Sequence, residues 1–270
     1  LYLNFDEGNA TDLSGNGYDS NAVNVTYADG ILGKGAHIVN PDGSSSADAV
    51  SYIDLSDQIR LGTEDFTISF WYQSSEGNES GGTVISAKDY NSGSNDGFAI
   101  GSFTDELRAN IAFDGTRKDI YFTPVDGQWH HSAVTFDRDG MMSAYTDGVL
   151  VGTADISAFA GQSVDIGDLV IGADGYHRNA LLDSVIDEVK IFTSVKNAEH
   201  IRTLYEEVHS QVIAPLPEDG EVLYAAFDGN TEDSSGRGNH GTAQGNVEYV
   251  DGIRGSALHI VNANGSTSAK

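Results

Sequence analysis

The chain contains no cysteine among its 270 residues, which excludes disulfides, thiol catalysis and thiolate zinc sites. Basic residues are scarce: 14 Lys and Arg stand against 41 Asp and Glu, a formal net charge of −27. A field of that sign repels phosphate backbones and anionic lipid surfaces, so no nucleic acid and no membrane insertion are expected. No apolar run approaches the ~18 residues of a spanning helix, and no secretion-signal pattern opens the chain. What is present is a 39% hydrophobic content, too high for a disordered chain, and 32 glycines that imply many turns. Leu1 already lies in a strand-like run, so the chain reads as an excerpt from a longer polypeptide.

The strongest internal signal is a self-match at an offset of about 222 residues. Leu1-Tyr-Leu-Asn-Phe-Asp6 corresponds to Leu223-Tyr-Ala-Ala-Phe-Asp228. Asn24-Val-Thr-Tyr-Ala-Asp-Gly-Ile-Leu-Gly33 recurs as Asn246-Val-Glu-Tyr-Val-Asp-Gly-Ile-Arg-Gly255, and His37-Ile-Val-Asn40 as His259-Ile-Val-Asn262. Residues 1–210 therefore read as one complete unit. Residues 211–221, with Pro215 and Pro217, read as a stiff linker, and 222–270 as the truncated start of a second copy. Tandem neighbouring domains suit a binding device, because linked weak sites gain effective concentration.

Short apolar or alternating runs separated by Gly, Asn, Asp and Ser clusters predict strands. In Phe66-Thr-Ile-Ser-Phe-Trp-Tyr72, residues Phe66, Ile68, Phe70 and Tyr72 share one face and Trp71 takes the other. Thr83 to Ala87, Leu107 to Phe113, Trp129 to Phe136, Met141 to Tyr145 and Leu181 to Phe192 follow. Asp147-Gly148 is a hairpin turn signal. One helix is expected, from Asn197 as its cap to about Ser210, with Ile201, Leu204, Tyr205 and Val208 at helical spacing. Many strands and one helix predict an all-β fold, a two-sheet antiparallel β-sandwich with one short C-terminal helix.

Three phrases resemble the laminin-G-like, concanavalin A-like jelly-roll family: Phe66-Thr-Ile-Ser-Phe-Trp71, Gly127-Gln-Trp-His-His-Ser-Ala-Val-Thr-Phe-Asp137 and Ile186-Asp-Glu-Val-Lys-Ile-Phe192. The opening Phe5-Asp-Glu7 and the turn Asp12-Leu-Ser-Gly-Asn-Gly17 fit the same pattern, and the likeness restarts at 222. That scaffold carries lectins, glycan-binding modules, adhesion domains and some glycosidases, so the resemblance speaks to fold before function. By that resemblance a structural Ca2+ ion is expected at the sandwich edge, held by Asp187, with Asp6 and the Gly33 carbonyl as companions.

Catalysis finds no support in the residues. Glucanases of this scaffold use a Glu-x-Asp-x-x-Glu strand, and no glutamate here begins a Glu-x-Asp. No zinc-protease helix or nucleophile elbow occurs, and Gly236-Arg-Gly-Asn-His-Gly241 reads as a turn because no helix pattern follows it. His130 and His131 are strand neighbours that point to opposite faces, one into the core and one towards the surface. Trp71 and Trp129 read as core residues. The four Asn-x-Ser/Thr sites, at Asn9, Asn24, Asn78 and Asn264, read as coincidence in a chain of bacterial composition.

Ligand chemistry falls on three loops. In 88–97, Asp89, Asn91, Asn95 and Asp96 surround an accessible Tyr90. In 174–179, Asp174, Tyr176, His177, Arg178 and Asn179 form an acid, amide, guanidinium and ring group. A sugar is held by apolar ring faces plus a few fixed hydrogen bonds, and both loops offer that inventory. Residues 40–48 form an insertion begun again in the second copy. The expected function is a non-catalytic glycan- or polysaccharide-binding module of a secreted or cell-surface bacterial protein. The alternatives are a protein–protein adhesion or spacer domain, or the accessory domain of a glycoside hydrolase or polysaccharide lyase.

Overall fold

The computed structural model describes residues 1–213 except 19, 42–43, 45–46, 57, 75–81 and 91. Beyond 213 it describes residues 225, 227, 230–231, 240–242, 247–251 and 256–260. Contacts divide the chain into a unit Leu1–Ile213 and a unit Ala214–Lys270. The first unit opens with β1 (Tyr2–Leu3), β2 (Asn21–Val23), β3 (Thr26–Asp29), β4 (Lys34–Val39) and β5 (Tyr52–Asp54). Then come β6 (Phe66–Ser74), β7 (Thr83–Ser86), β8 (Gly97–Phe103), β9 (Glu106–Phe113) and β10 (Thr116–Pro124). The last strands are β11 (His130–Phe136), β12 (Met141–Thr146), β13 (Val149–Asp155), β14 (Val170–Ile171) and β15 (Asp183–Phe192), before helix α1 (Ala198–Ile213).

These strands form two sheets. Sheet A runs β13-β12-β11-β6-β15-β4-β3 with β1 also on β15, and sheet B runs β10-β9-β8-β7-β14-β5-β2. Both are antiparallel ladders, so the all-β sandwich expected from the sequence is the observed fold. The alternation in β6 does what its pattern dictates. Phe66 stacks on Phe136 of the same sheet at 4.3 Å between centroids and meets Phe98 of sheet B at 5.1 Å. Each such ring, fully buried, contributes about 1.5–3 kcal/mol. Asp147 and Gly148 take φ of 50° and 76°, the left-handed pair a tight hairpin between β12 and β13 requires.

Trp71 points out of the sandwich and would be exposed but for α1. Asn197 caps that helix by accepting the His200 amide at 2.8 Å. Ile201, Leu204 and Val208 are buried, and Tyr205 stacks on Trp71 at 5.7 Å with a 21° tilt. His131, directly opposite Trp71 in the ladder, is buried and hydrogen-bonded to Ser69 at 2.9 Å. Burial pushes its pKa down to about 3, so it is neutral. His130, opposite Tyr72 at the start of β11, is half-buried and paired with Asp147 at 2.9 Å. Residues 211–213, expected in the linker, extend α1. The chain can stay helical there because the first proline, Pro215, lies two residues further on.

In the second unit, β16 (Val247–Asp251) pairs with β17 (Ser256–Ile260). Glu248 faces His259 there as Thr26 faces His37 in the first unit, and Asp251 faces Ser256 as Asp29 faces Lys34.

Candidate functional site

The outer face of sheet B is set by alternation. Leu107, Ala109 and Ile111 of β9 enter the core, so Arg108 and Asn110 point away from it. Loop 88–97 folds back over this face. Its anchor is Lys88, a fully buried lysine whose ammonium donates to the Asn95 carbonyl (2.6 Å), the Gly93 carbonyl (3.2 Å) and Asn110 Oδ1 (2.6 Å). Burial pushes its pKa down to about 7. The loop carbonyls converge on that charge, and the loop closes around it.

Tyr90, expected to be accessible, is only 7% exposed. Its ring lies against Gly101 of β8, where even a Cβ would sit 3.3 Å from Tyr90 Cε1. Its hydroxyl accepts hydrogen bonds from Arg108 Nε at 2.9 Å and from Arg108 Nη2. The loop residue became a pillar because a guanidinium and a bare backbone were waiting beneath it. Asp96 is exposed, and its Oδ1 accepts the Asp114 amide at 2.9 Å, bracing the β9–β10 turn. Asn91 lies outside the described residues.

Loop 174–179 meets this loop through Asp174, which is fully buried. Its carboxylate accepts the amides of Tyr90 (3.0 Å), Tyr176 (2.9 Å) and Arg178 (2.9 Å), and Gly175 N donates to the Lys88 carbonyl at 2.8 Å. Burial raises the Asp174 pKa and the three amides oppose that shift. Asn179 is also a brace. Its carbonyl accepts the Thr83 amide at 2.8 Å and its Oδ1 the Thr83 hydroxyl at 3.2 Å. Ala49 N donates to the His177 carbonyl (2.7 Å) and Asn179 N to the Ser44 carbonyl (3.3 Å). The segment 40–48, of which 42–43 and 45–46 lie outside the described residues, therefore adjoins the same place.

Three loops separate in sequence thus converge at one end of sheet B. What they present is Tyr176, 48% exposed, with the Arg178 guanidinium 5.8 Å from its ring centre and Asp89 3.7 Å from Arg178. Among the described residues, the Arg178 side chain ties to the neighbouring loop only through that ion pair with Asp89, while Tyr90, Asp174 and Asn179 carry the hydrogen bonds that hold the loops. His177 turns inward and packs on Tyr52 at 4.6 Å.

Sequence reasoning missed the neighbouring aromatic pair. Phe103 and Tyr121 are 42% and 40% exposed, with ring centroids 5.9 Å apart. Arg108 lies 4.5 Å from the Phe103 ring and 5.9 Å from that of Tyr121, and Asp119 holds Arg117 at 2.9 Å beside it. The signal was the polar alternation of Arg108 and Asn110 on β9 facing Tyr121 and Asp119 on β10.

The three residues named for calcium also come together. In β15 the register slips between Asp187 and Lys190, and Glu188 takes φ of 51°. The bulge aims the buried Asp187 at the turn after β3, where its Oδ2 accepts the Leu32 amide at 3.2 Å. From the other side Asp6 Oδ1 accepts the Lys34 amide at 3.1 Å. Gly33, at φ 47°, lies so close that a Cβ there would overlap the Asp6 carboxylate. Burial, with the charges of Glu188 and Asp6, pushes the Asp187 pKa up to about 8. No Lys, Arg or His ion-pairs with Asp187 among the described residues. Two carboxylates around a tight turn, one buried without a counter-charge, fit a hard divalent cation.

Two antiparallel sheets packed face to face, with one helix on the outer face of sheet A, define a jelly-roll β-sandwich domain. The model for the concanavalin A-like lectin/glucanases superfamily matches residues 47–202, more than half of the chain, and the chain belongs to that superfamily. A search of curated proteins by sequence finds no match. Among solved structures, the binding domain of Paraclostridial Mosquitocidal Protein 1 superposes with a TM-score of 0.62 at 18% identity, over 77% of this chain and 51% of that one. The binding domain of botulinum neurotoxin DC in complex with rat synaptotagmin II gives 0.59 at 18%, over 77% and 51%. The same binding domain in complex with SialylT gives 0.59 at 17%, with equal coverage. The chain thus spans about half the length of these structures, and at such identity the likeness concerns the fold.

Proposed function

We propose that the first unit is a non-catalytic glycan-binding module of a larger secreted or cell-surface bacterial protein, and that it binds at the loop end of sheet B. The observation that carries this reading is the Asp174 junction, which fixes two loops so that an exposed Tyr176 and a half-buried Arg178 stand pre-positioned beside Asp89. An exposed ring flanked by a guanidinium and a carboxylate offers a sugar a stacking face and oriented hydrogen bonds. The exposed Phe103–Tyr121 pair extends the aromatic surface available to a longer polysaccharide. That binding domains of this fold were solved with rat synaptotagmin II and with SialylT supports recognition as a use of the scaffold.

A glycan array run on the intact chain, with calcium and again with chelator, tests the reading. Binding of one glycan class is expected, and Tyr176→Ala should weaken it by about tenfold with an unchanged melting temperature, as loss of one stacking contact of ~1.4 kcal/mol requires. If no glycan class binds in either condition while an adhesion partner does, the spacer or adhesion reading replaces it.

Calcium belongs to the same proposal as a structural support. Asp187 and Asp6 would hold it, with the Gly33 carbonyl in reach, and the ion would neutralise their charge and tie the first turn to β15. At ~100 times its dissociation constant, calcium adds ~2.7 kcal/mol to the folded state. For a domain of this size that raises the melting temperature by roughly 5–10 °C. A melting curve unmoved by chelator, and identical in Asp187→Asn, removes calcium from the description.

A further inference from the structure

His177, set aside by the glycan reading, has an environment of its own. Its backbone is held at φ 56° by the bonds His177 N to the Asp174 carbonyl and Ala49 N to the His177 carbonyl. The Tyr52 ring packs against the imidazole and restricts its rotation. So fixed, Nε2 points at two carboxylates, 3.7 Å from Asp54 Oδ2 and 3.8 Å from Asp168 Oδ2. Those separations exceed a hydrogen bond, and the Nε2 atom, itself shielded from solvent, has no hydrogen-bond partner among the described residues. Asp54 is oriented too, since its other oxygen accepts the Ser56 amide at 2.8 Å. Asp54 ends β5 and pairs with Val170 of β14, and Asp168 lies two residues before that strand. The sheet therefore delivers both acids to the loop that carries the histidine.

We infer that Asp54, Asp168 and His177 form a site for a divalent first-row transition metal of the zinc type, distinct from the Asp6–Asp187 pair. The three ligand atoms lie within 4.8 Å of one another. Two metal–ligand bonds of ~2.1 Å span up to ~4.2 Å, so the two imidazole–carboxylate separations already suit a shared ion, and a small carboxylate rotation completes the set. One imidazole and two carboxylates match zinc, cobalt or nickel better than calcium, which takes oxygen alone. Two acids beside an imidazole, with no Lys or Arg ion-paired to either among the described residues, give the site the negative charge a cation needs. Three protein ligands leave a position open, and the half-exposed Asp168 puts it on the solvent side. This inference stands apart from the glycan reading, because the metal can be measured with no sugar present.

The test is a titration of the untagged, chelator-stripped chain with Co2+, calcium being kept in excess to fill oxygen-only sites. One equivalent should bind, with the visible absorption bands of cobalt ligated by nitrogen and oxygen. His177→Ala should weaken it by at least ~100-fold, given that removal of mere outer-shell partners costs ~10–100-fold. Asp168→Asn, at a half-exposed side chain, serves as the second variant should His177→Ala fail to fold. In the wild-type chain, one equivalent of Zn2+ should shift the Nε2 resonance of His177. Absence of saturable Co2+ uptake, uptake unchanged in a folded His177→Ala chain, or an unshifted Nε2 resonance would each overturn the site, leaving a solvent-bridged ion pair.

Discussion

Asp174→Ala should abolish glycan binding and destabilise the first unit by roughly 3–5 kcal/mol, as three amides lose one charged acceptor. Two features make the effect large. The carboxylate is fully buried, so water cannot step in without opening the junction, and the three amides belong to two different loops. At ~2–4 °C per kcal/mol for a domain of this size, the melting temperature should fall by roughly 10 °C. Asp174→Asn keeps one acceptor oxygen and turns an NH2 group towards an amide, so it should fall between wild type and alanine. Thermal melts of the three chains decide the matter. An alanine variant melting within ~2 °C of wild type would mean that the junction does not hold the loops.

Trp71→Ala is expected to cost about 3–5 kcal/mol and to loosen α1 from sheet A. Trp71 is the floor on which Tyr205 stacks, and the same helix turn covers His131. The indole nitrogen has no hydrogen-bond partner among the described residues, so the residue acts through its area alone. Trp71→Phe should therefore restore most of the loss, leaving a deficit of about 1–2 kcal/mol. Limited proteolysis within Ala198–Ile213, together with urea melts, reads both effects. Equal protease resistance in Trp71→Ala and wild type would show that the helix is held elsewhere.

Much of the scaffold was legible because it obeys short-range rules. The period-2 run of β6, the Asn197 cap and the Asp147-Gly148 hairpin are each decided within a few residues, and each stands as read. The candidate site was legible in its inventory and not in its roles. Nothing local told that Tyr90 would find Arg108, since the two are brought together by the β8–β9 ladder and by the missing side chain at Gly101. Asp174 looked like a ligand because acids in loops often are, yet its partners are two amides of its own loop and the Tyr90 amide, 84 residues away in sequence. Likewise Asp54 and Asp168 meet His177 only because β5 and β14 are neighbours. The bulge in β15 was hidden for a different reason: an apolar run shows that a strand is buried and not where its ladder slips.

In the glycan site proposed around Asp174, the hydrogen bonds that shape the loops and the groups offered to a ligand reside on different side chains. Tyr90, Asp174 and Asn179 hold the backbone through their side chains, while Tyr176 projects from it and Arg178 reaches only Asp89. Selectivity can therefore be rewritten on this surface without redesigning its foundations. A library randomised at 176 and 178 alone should yield folded variants throughout, each a new specificity on an unchanged frame.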